Sequence, residues 1–134
     1  MAKVYVIDGE RFETLEEFFQ QISLVLIPGA DWGRNLDAFN DILRGGFGTP
    51  DEGFEIHWVH SDTSRTRLGY VETVRQLEAR LERCHPSNRP NVADQLSAAR
   101  SGICRTVFEW LVELTEVHGA GGEEATDNVR LRLM

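Results

Sequence analysis

Two aspartates, Asp37 and Asp41, lie four residues apart in a segment typical of a loop that opens into a helix, DWGRNLDAFND at residues 31–41. Residues at this spacing share one face of a helix, and two like charges there cost roughly 0.2–0.5 kcal/mol. No Lys or Arg is spaced to neutralise both carboxylates. The pattern predicts an acidic surface that binds a cationic partner, although a merely solvated helix face has the same pattern.

The other residues that could carry chemistry form no recognisable site. Four potential metal ligands are present: Cys84, His85, Cys104 and His118. Their spacing matches no zinc motif, so we expect neither a metal nor a cofactor. His57 and His60 are three apart on a predicted strand and should face opposite sides. Acid–base catalysis needs carboxylates in a cleft, which an exposed helix face does not provide, so we expect no enzyme.

The charge of the chain is strongly uneven. Its 134 residues include 22 acidic and 14 basic side chains, a net charge of −8. Residues 1–60 hold 11 acidic and 4 basic side chains, whereas residues 61–134 hold 11 and 10. A negative field repels nucleic acid and speeds encounters with basic proteins. We therefore expect a basic protein partner and no nucleic acid, while acidity that serves solubility alone is the other interpretation.

Length and composition favour one domain spanning residues 1–134 in a reducing compartment. The N-terminus shows no signal-peptide pattern, and the longest nearly uncharged run, residues 18–30, is too short and too polar to span a bilayer. Two cysteines are too few for a disulfide framework. These features predict a cytoplasmic protein without a membrane association.

The apolar pattern predicts an α/β fold. Strands are expected at Lys3–Asp8, Phe54–His60 and Asn128–Leu133. Helices are expected after Thr14 as far as Pro28-Gly29, after the cap Asn35 to Arg44, and at about Val71–Cys84, Asn91–Arg100 and Thr106–His118. This order predicts a small three-stranded parallel sheet packed with several helices, with the second strand in the centre.

These elements and the motif WGxNLDAFxDxL at residues 32–43 resemble the barstar family of intracellular ribonuclease inhibitors. The resemblance implies a barstar-like α/β fold whose second helix and preceding loop block the active site of a ribonuclease in a 1:1 complex. It has a physical rationale, because carboxylates can take the place of RNA phosphates among the Arg, Lys and His side chains of such a cleft.

The resemblance also implies roles for individual residues. Asp41 would be the central anchor with Asp37 beside it. Gly33 would let the loop approach the enzyme, and Asn35 would shape the turn. Glu113 would be a peripheral acid from the last helix, a role that Glu109 or Glu116 would take if the register differs by a turn. The full set of expected partner-binding residues is Asp31, Trp32, Gly33, Asn35, Asp37, Asn40, Asp41 and Glu113. For Trp32, a core position is an equal alternative.

The chain also departs from the family pattern. Asp31, Asn40 and Gly46 stand where the resemblance leads us to expect aromatic residues. Their absence should weaken binding to a barnase-like enzyme. The middle region, residues 61–103, is expanded and is expected to form a mainly helical insertion. The alternative function is therefore a barstar-like interaction module whose target is not a ribonuclease and whose contacts come from this region.

Overall fold

The computed structural model describes residues 3–30, 32–45, 48–50, 52–119 and 128–134. In these parts of the chain, three strands form one sheet: β1 (Lys3–Asp8), β2 (Phe54–Val59) and β3 (Val129–Leu133). Six α-helices accompany it: α1 (Leu15–Val25), α2 (Leu36–Leu43), α3 (Ser61–Arg67), α4 (Tyr70–Arg83), α5 (Arg89–Arg100) and α6 (Val107–Val117).

The sheet is entirely parallel, with β2 between β1 and β3. Tyr5 is in register with Ile56, and Ile56 with Leu131. The predicted α/β class, the three parallel strands and the central second strand are therefore confirmed. The helix and strand bounds differ from the predicted ones mostly by one or two residues, as expected where only a cap or a turn marks the end of an element.

The largest difference lies directly after β2. The strand ends at Val59, because His60 has a left-handed backbone (φ 54°) and is the N-cap residue of α3. The prediction that His57 and His60 face opposite sides of one strand was therefore wrong for His60. His57 pairs with Glu55 at 3.0 Å, whereas His60 Nδ1 lies 2.8 Å from an Asp8 carboxylate oxygen.

One face of the sheet carries the core. Trp58 of β2 packs on Phe18 of α1 with 5.3 Å between ring centroids, and Phe39 of α2 meets Phe18 edge-on at 5.4 Å. All three side chains are almost completely buried. The opposite face is far more open, since Val4 and Val6 of β1 are 44% and 50% exposed. Helices α1 and α2 are thus held on the covered face by a shared aromatic cluster.

The middle region is helical, and two adjacent residues of α4 attach it to the rest of the fold. Glu72 is buried, and its Oε2 accepts the Leu15 backbone N–H at 2.8 Å, at the first residue of α1. Thr73 Oγ1 accepts the Val107 N–H at 2.9 Å, at the first residue of α6. Helix α4 is therefore fixed to the starts of two other helices.

Within the described residues, no helix is both long enough and apolar enough to cross a bilayer.

Replacing Glu72 with Gln should destabilise the fold. The change removes a buried charge that accepts the Leu15 N–H and pairs with Arg75 Nε at 2.6 Å. Charged hydrogen bonds of this kind contribute about 1.5–3 kcal/mol, so we expect a loss of about 2 kcal/mol in the free energy of unfolding. Glu78→Gln, on the same helix but at an exposed pair with Arg100, is the matched control and should cost less than about 0.5 kcal/mol. Equal losses in urea unfolding would show that Glu72 does not fix α4.

The Asp8–His60 pair should make stability depend on pH. The backbone N–H of Glu10 and the His60 ring lower the pKa of Asp8 below 3.8, and the hydrogen bond to Asp8 raises the pKa of His60 above 6.5. The Asp8 contribution is lost as pH falls through its lowered pKa, and that of His60 is lost as pH rises through its raised pKa. The pair therefore stabilises the fold fully only between the ordinary pKa values of the two groups, 3.8 and 6.5, and progressively less beyond them.

His60→Asn, which keeps a residue tolerant of positive φ, should destabilise the protein at about pH 5.5 and have a smaller effect at about pH 9. Urea unfolding of both proteins at the two pH values measures this. A difference in unfolding free energy that stays constant, or that grows at alkaline pH, would contradict the assignment.

Candidate functional site

Helix α2 has one buried face and one solvent face. Phe39, Ile42 and Leu43 are each about 1% exposed or less, whereas Asp37 and Asp41 are exposed. A helix of eight residues is too short to be stable alone in water. The packing of its buried face therefore determines its position and turns both carboxylates outward.

Both ends of α2 are capped. Asn35 Oδ1 accepts the Ala38 N–H at 2.8 Å, which confirms the predicted N-cap. At the other end, Thr49 Oγ1 donates to the Ile42 carbonyl at 2.9 Å, and Gly45 has the positive φ (94°) that ends the helix. These caps keep the short helix from fraying on either side of the two acids.

The two carboxylates differ in their surroundings. Among the described residues, no side chain forms a hydrogen bond or an ion pair with Asp37. The Asp41 carboxylate lies 3.4 Å from Arg44 Nη1, with side-chain exposures of 58% and 46%. Such an exposed pair contributes less than about 1 kcal/mol, so Arg44 does not prevent Asp41 from binding a better-placed cation. Asp41 thus forms one weak ion pair, and the charges of Asp37 and Asp41 together are not neutralised.

The loop before α2 is fixed by Trp32, whose side chain lies in the core. It is 7% exposed, its Nε1 donates to Ser23 Oγ at 2.6 Å, and its ring meets Phe19 edge-on at 5.5 Å. Of the two interpretations of this residue, the structure supports the core position. Trp32 holds the loop in place and presents little of its ring to a partner. Asp31, which precedes it, lies outside the described residues.

The rest of the loop is tightly folded. Asn35 Nδ2 is within 3.4 Å of the Gly33 carbonyl oxygen, and a Cβ on Gly33 would lie only 2.9 Å from that nitrogen. Gly33 is exposed, as a backbone contact to a partner requires. Arg34 has a left-handed backbone (φ 51°), which is uncommon for a residue other than glycine and costs on the order of 1 kcal/mol. No local residue pattern predicts this conformation.

Asn40, expected to face a partner, is occupied within the chain. Its Nδ2 donates to His118 Nε2 at 2.6 Å, and its Oδ1 accepts from Arg44 Nη2 at 3.2 Å. His118 is completely buried at the end of α6. Asn40 therefore connects α2 to α6 and positions Arg44. The 78 residues between Asn40 and His118 explain why no local pattern indicated this contact.

Glu113 is not brought next to the two aspartates by any contact that the structure shows. Its Oε1 pairs with Arg105 Nε at 2.9 Å. Of the two substitutes, Glu109 caps the start of its own helix and Glu116 is exposed. A peripheral acid from α6 stays a prediction.

The arrangement is suited to binding. Asp37 and Asp41 are separated by about 6 Å along the helix axis. In the described ranges, no three His, Cys, Asp or Glu side chains are grouped so that they could hold a metal ion. The site presents two anions at a fixed spacing, with the loop at residues 32–35 beside them.

Comparison with known proteins identifies the family of the chain. A search of curated proteins returns no significant match. The family model described as Barstar (barnase inhibitor) matches residues 2–99, which include β1, α1, the loop, α2, β2 and the middle helices α3 and α4. Because this match covers well over half of the sequence, the chain belongs to the Barstar family.

Proposed function

We propose that this chain inhibits a ribonuclease by inserting α2 and the preceding loop into the active site. The observation that carries the proposal is the outward orientation of Asp37 and Asp41 on a helix whose opposite face is buried. The chain itself performs no reaction in this proposal. It acts in the cytoplasm as a single domain, and its partner is one molecule of a basic ribonuclease.

The physical basis is the exchange of phosphates for carboxylates. A ribonuclease cleft holds cationic side chains that bind a phosphodiester, and Arg–carboxylate pairs form strong, often bidentate, hydrogen bonds. Because α2 is capped and packed before binding, little conformational entropy is lost when its acids enter the cleft. Asp41 would exchange its weak contact with Arg44 for cations of the enzyme.

A second candidate function is that of a barstar-like interaction module whose target is not a ribonuclease. Asn40 replaces an expected aromatic residue and is held by His118 and Arg44, so it offers no stacking surface. This favours a target other than barnase itself. Titrating the chain against barnase and a panel of other small basic ribonucleases, with RNA cleavage as the readout, separates the candidates. Inhibition of any member supports the proposal, whereas inhibition of none of them supports the interaction module.

Replacing Asp41 with Ala should weaken the complex by at least about 2 kcal/mol, which is about 30-fold in Kd. This is the general magnitude for interface hot spots, and the complexes from which it was established include members of this family. The exposed position of Asp41 means that the fold should survive the change. Isothermal titration with the inhibited ribonuclease measures the loss.

Asp94→Ala is the matched control, because Asp94 is an exposed acid on α5 whose removal changes the net charge equally. It should leave Kd within about 2-fold. A loss below about 0.5 kcal/mol for Asp41→Ala would exclude Asp41 as the anchor.

Association should slow as salt is added. The net charge of −8 attracts a basic enzyme over a distance that ions screen, with a Debye length of about 10 Å at 0.1 M and about 3 Å at 1 M. We expect the association rate constant to fall at least about 10-fold between low salt and 0.5 M NaCl, with a smaller change in the dissociation rate. Stopped-flow measurements that show a salt-independent association rate would contradict electrostatic steering.

A further inference from the structure

An open groove of about 540 Å³ lies directly beside the candidate site. One wall is the loop at residues 33–35 with the first residues of α2, and the start of α1 contributes to the floor. The other wall is the face of α4 that carries Gln76, Arg80 and Arg83. Since Gly33 and Asp37 line this groove as well, it is continuous with the surface proposed to enter the ribonuclease.

The groove collects positive charge in an acidic protein. Arg34, Arg80 and Arg83 all line it. Within the described parts of the chain, neither Arg34 nor Arg83 has a carboxylate within ion-pair distance. Arg83 Nε donates to the carbonyl of Ala79 in its own helix at 3.3 Å. Unpaired arginines are unexpected in a chain where acidic side chains outnumber basic ones by 22 to 14.

The remaining charged groups of the groove leave this surplus in place. Arg80 stacks over the Trp110 ring at 5.5 Å, a contact that orients the guanidinium without neutralising it. Glu16 accepts hydrogen bonds from Arg75 and Gln76. Partial burial opposes ionisation of Glu16, but these hydrogen bonds outweigh it and lower the pKa of its carboxyl group. The groove therefore holds three guanidinium groups against one lining carboxylate, that of Asp37, which is not already paired within the described parts of the chain.

The positive groove reflects a division of charge within the sequence. The middle region, residues 61–103, holds seven basic and five acidic side chains, whereas the rest of the chain holds seven and seventeen. Helix α4 brings part of this basic region to the edge of the acidic surface. Its position is fixed, because Glu72 and Thr73 attach it to α1 and α6.

We propose that this groove receives a carboxylate side chain of the same ribonuclease, from an Asp or Glu at the rim of its active-site cleft. The inference rests on the proposed function, because it takes the ribonuclease as the partner. A guanidinium binds a carboxylate through two parallel hydrogen bonds, and the groove is lined by three arginines that could bind such an anion. A ribonuclease without an acid at this place would leave these arginines unpaired in the complex, so the groove selects among ribonucleases.

A single carboxylate fits the groove better than RNA does. A polyanion that entered here would have to pass Asp37 and approach a protein with a net charge of −8. One acid on an otherwise basic enzyme avoids this repulsion, since the basic cleft of the enzyme would cover the aspartates at the same time.

The test is a charge-reversal cycle with the ribonuclease that the wild-type chain inhibits most strongly in the panel. Arg83→Glu and the double variant Arg34→Glu/Arg83→Glu are compared with the control Arg89→Glu. Arg89 is exposed at the first residue of α5 and is not a lining residue of the groove, and a helix N-terminus accepts a glutamate well. The control matches the charge change of the single variant, so it accounts for altered long-range steering. Circular dichroism and urea unfolding verify that each variant is folded.

We expect Arg83→Glu to raise Kd about 10-fold or more and the double variant about 100-fold, mainly through faster dissociation. Arg89→Glu should change Kd less than about 3-fold. Replacing each rim acid of the ribonuclease with Lys in turn should identify one substitution that restores binding to Arg83→Glu, with a coupling of at least about 10-fold.

Four results would overturn the inference. If the groove variants bind like the control while Asp41→Ala loses affinity, the groove does not contact the ribonuclease, and the proposed function stands. If no rim acid of the ribonuclease couples to Arg83, or if the free chain binds an oligoribonucleotide through these arginines, the occupant is not a carboxylate. If the wild-type chain inhibits no ribonuclease in the panel, both proposals fail.

Discussion

The edge-on contact between Phe39 of α2 and Phe18 of α1, with 5.4 Å between ring centroids, decides which way the two aspartates point. An eight-residue helix gains too little from its own hydrogen bonds to hold a position, so burial of one face must fix it. Once Phe39 and Ile42 are buried, residues 37 and 41 can only face solvent. The packing of the core thus also determines the exposure of the two carboxylates. The stability gained from this packing offsets the repulsion between them.

The middle region is attached to α1, the helix on which α2 packs. The buried carboxylate of Glu72 accepts the first N–H of α1, the same helix that supports α2 through Phe18. Helix α4 therefore has a defined position relative to the loop and to Asp37. This connection places Arg80 and Arg83 of α4 in the same groove as Asp37 of α2.

Local signals predicted those parts of the structure that local interactions determine. The cap Asn35, the spacing of the apolar residues of α2 and the β-branched residues of β1 act over a few positions, and the elements that they predict are present. Helix α3 was missed because Ser61–Arg67 contains no apolar residue and is held by contacts such as the Trp58 Nε1–Ser64 Oγ hydrogen bond.

The parts of the site that the sequence did not predict depend on distant contacts. The Asn40–His118 hydrogen bond joins α2 to the end of α6, and the core position of Trp32 depends on Phe19 and Ser23 of another helix. Arg34 has its positive φ in a tight loop in which the Asn35 side chain contacts the Gly33 carbonyl oxygen. The sequence thus indicated which residues carry charge, whereas tertiary packing decides which of them remain available to a partner.

The central claim is that the carboxylates of α2 occupy the position of RNA phosphate in the cleft of a ribonuclease. Titrating the chain into the ribonuclease at rising concentrations of a mononucleotide that fills the active site tests this most directly. The account predicts strict competition, with an apparent Kd that rises in proportion to nucleotide once the enzyme is saturated. A ternary complex, in which chain and nucleotide bind together with unchanged Kd, would contradict it.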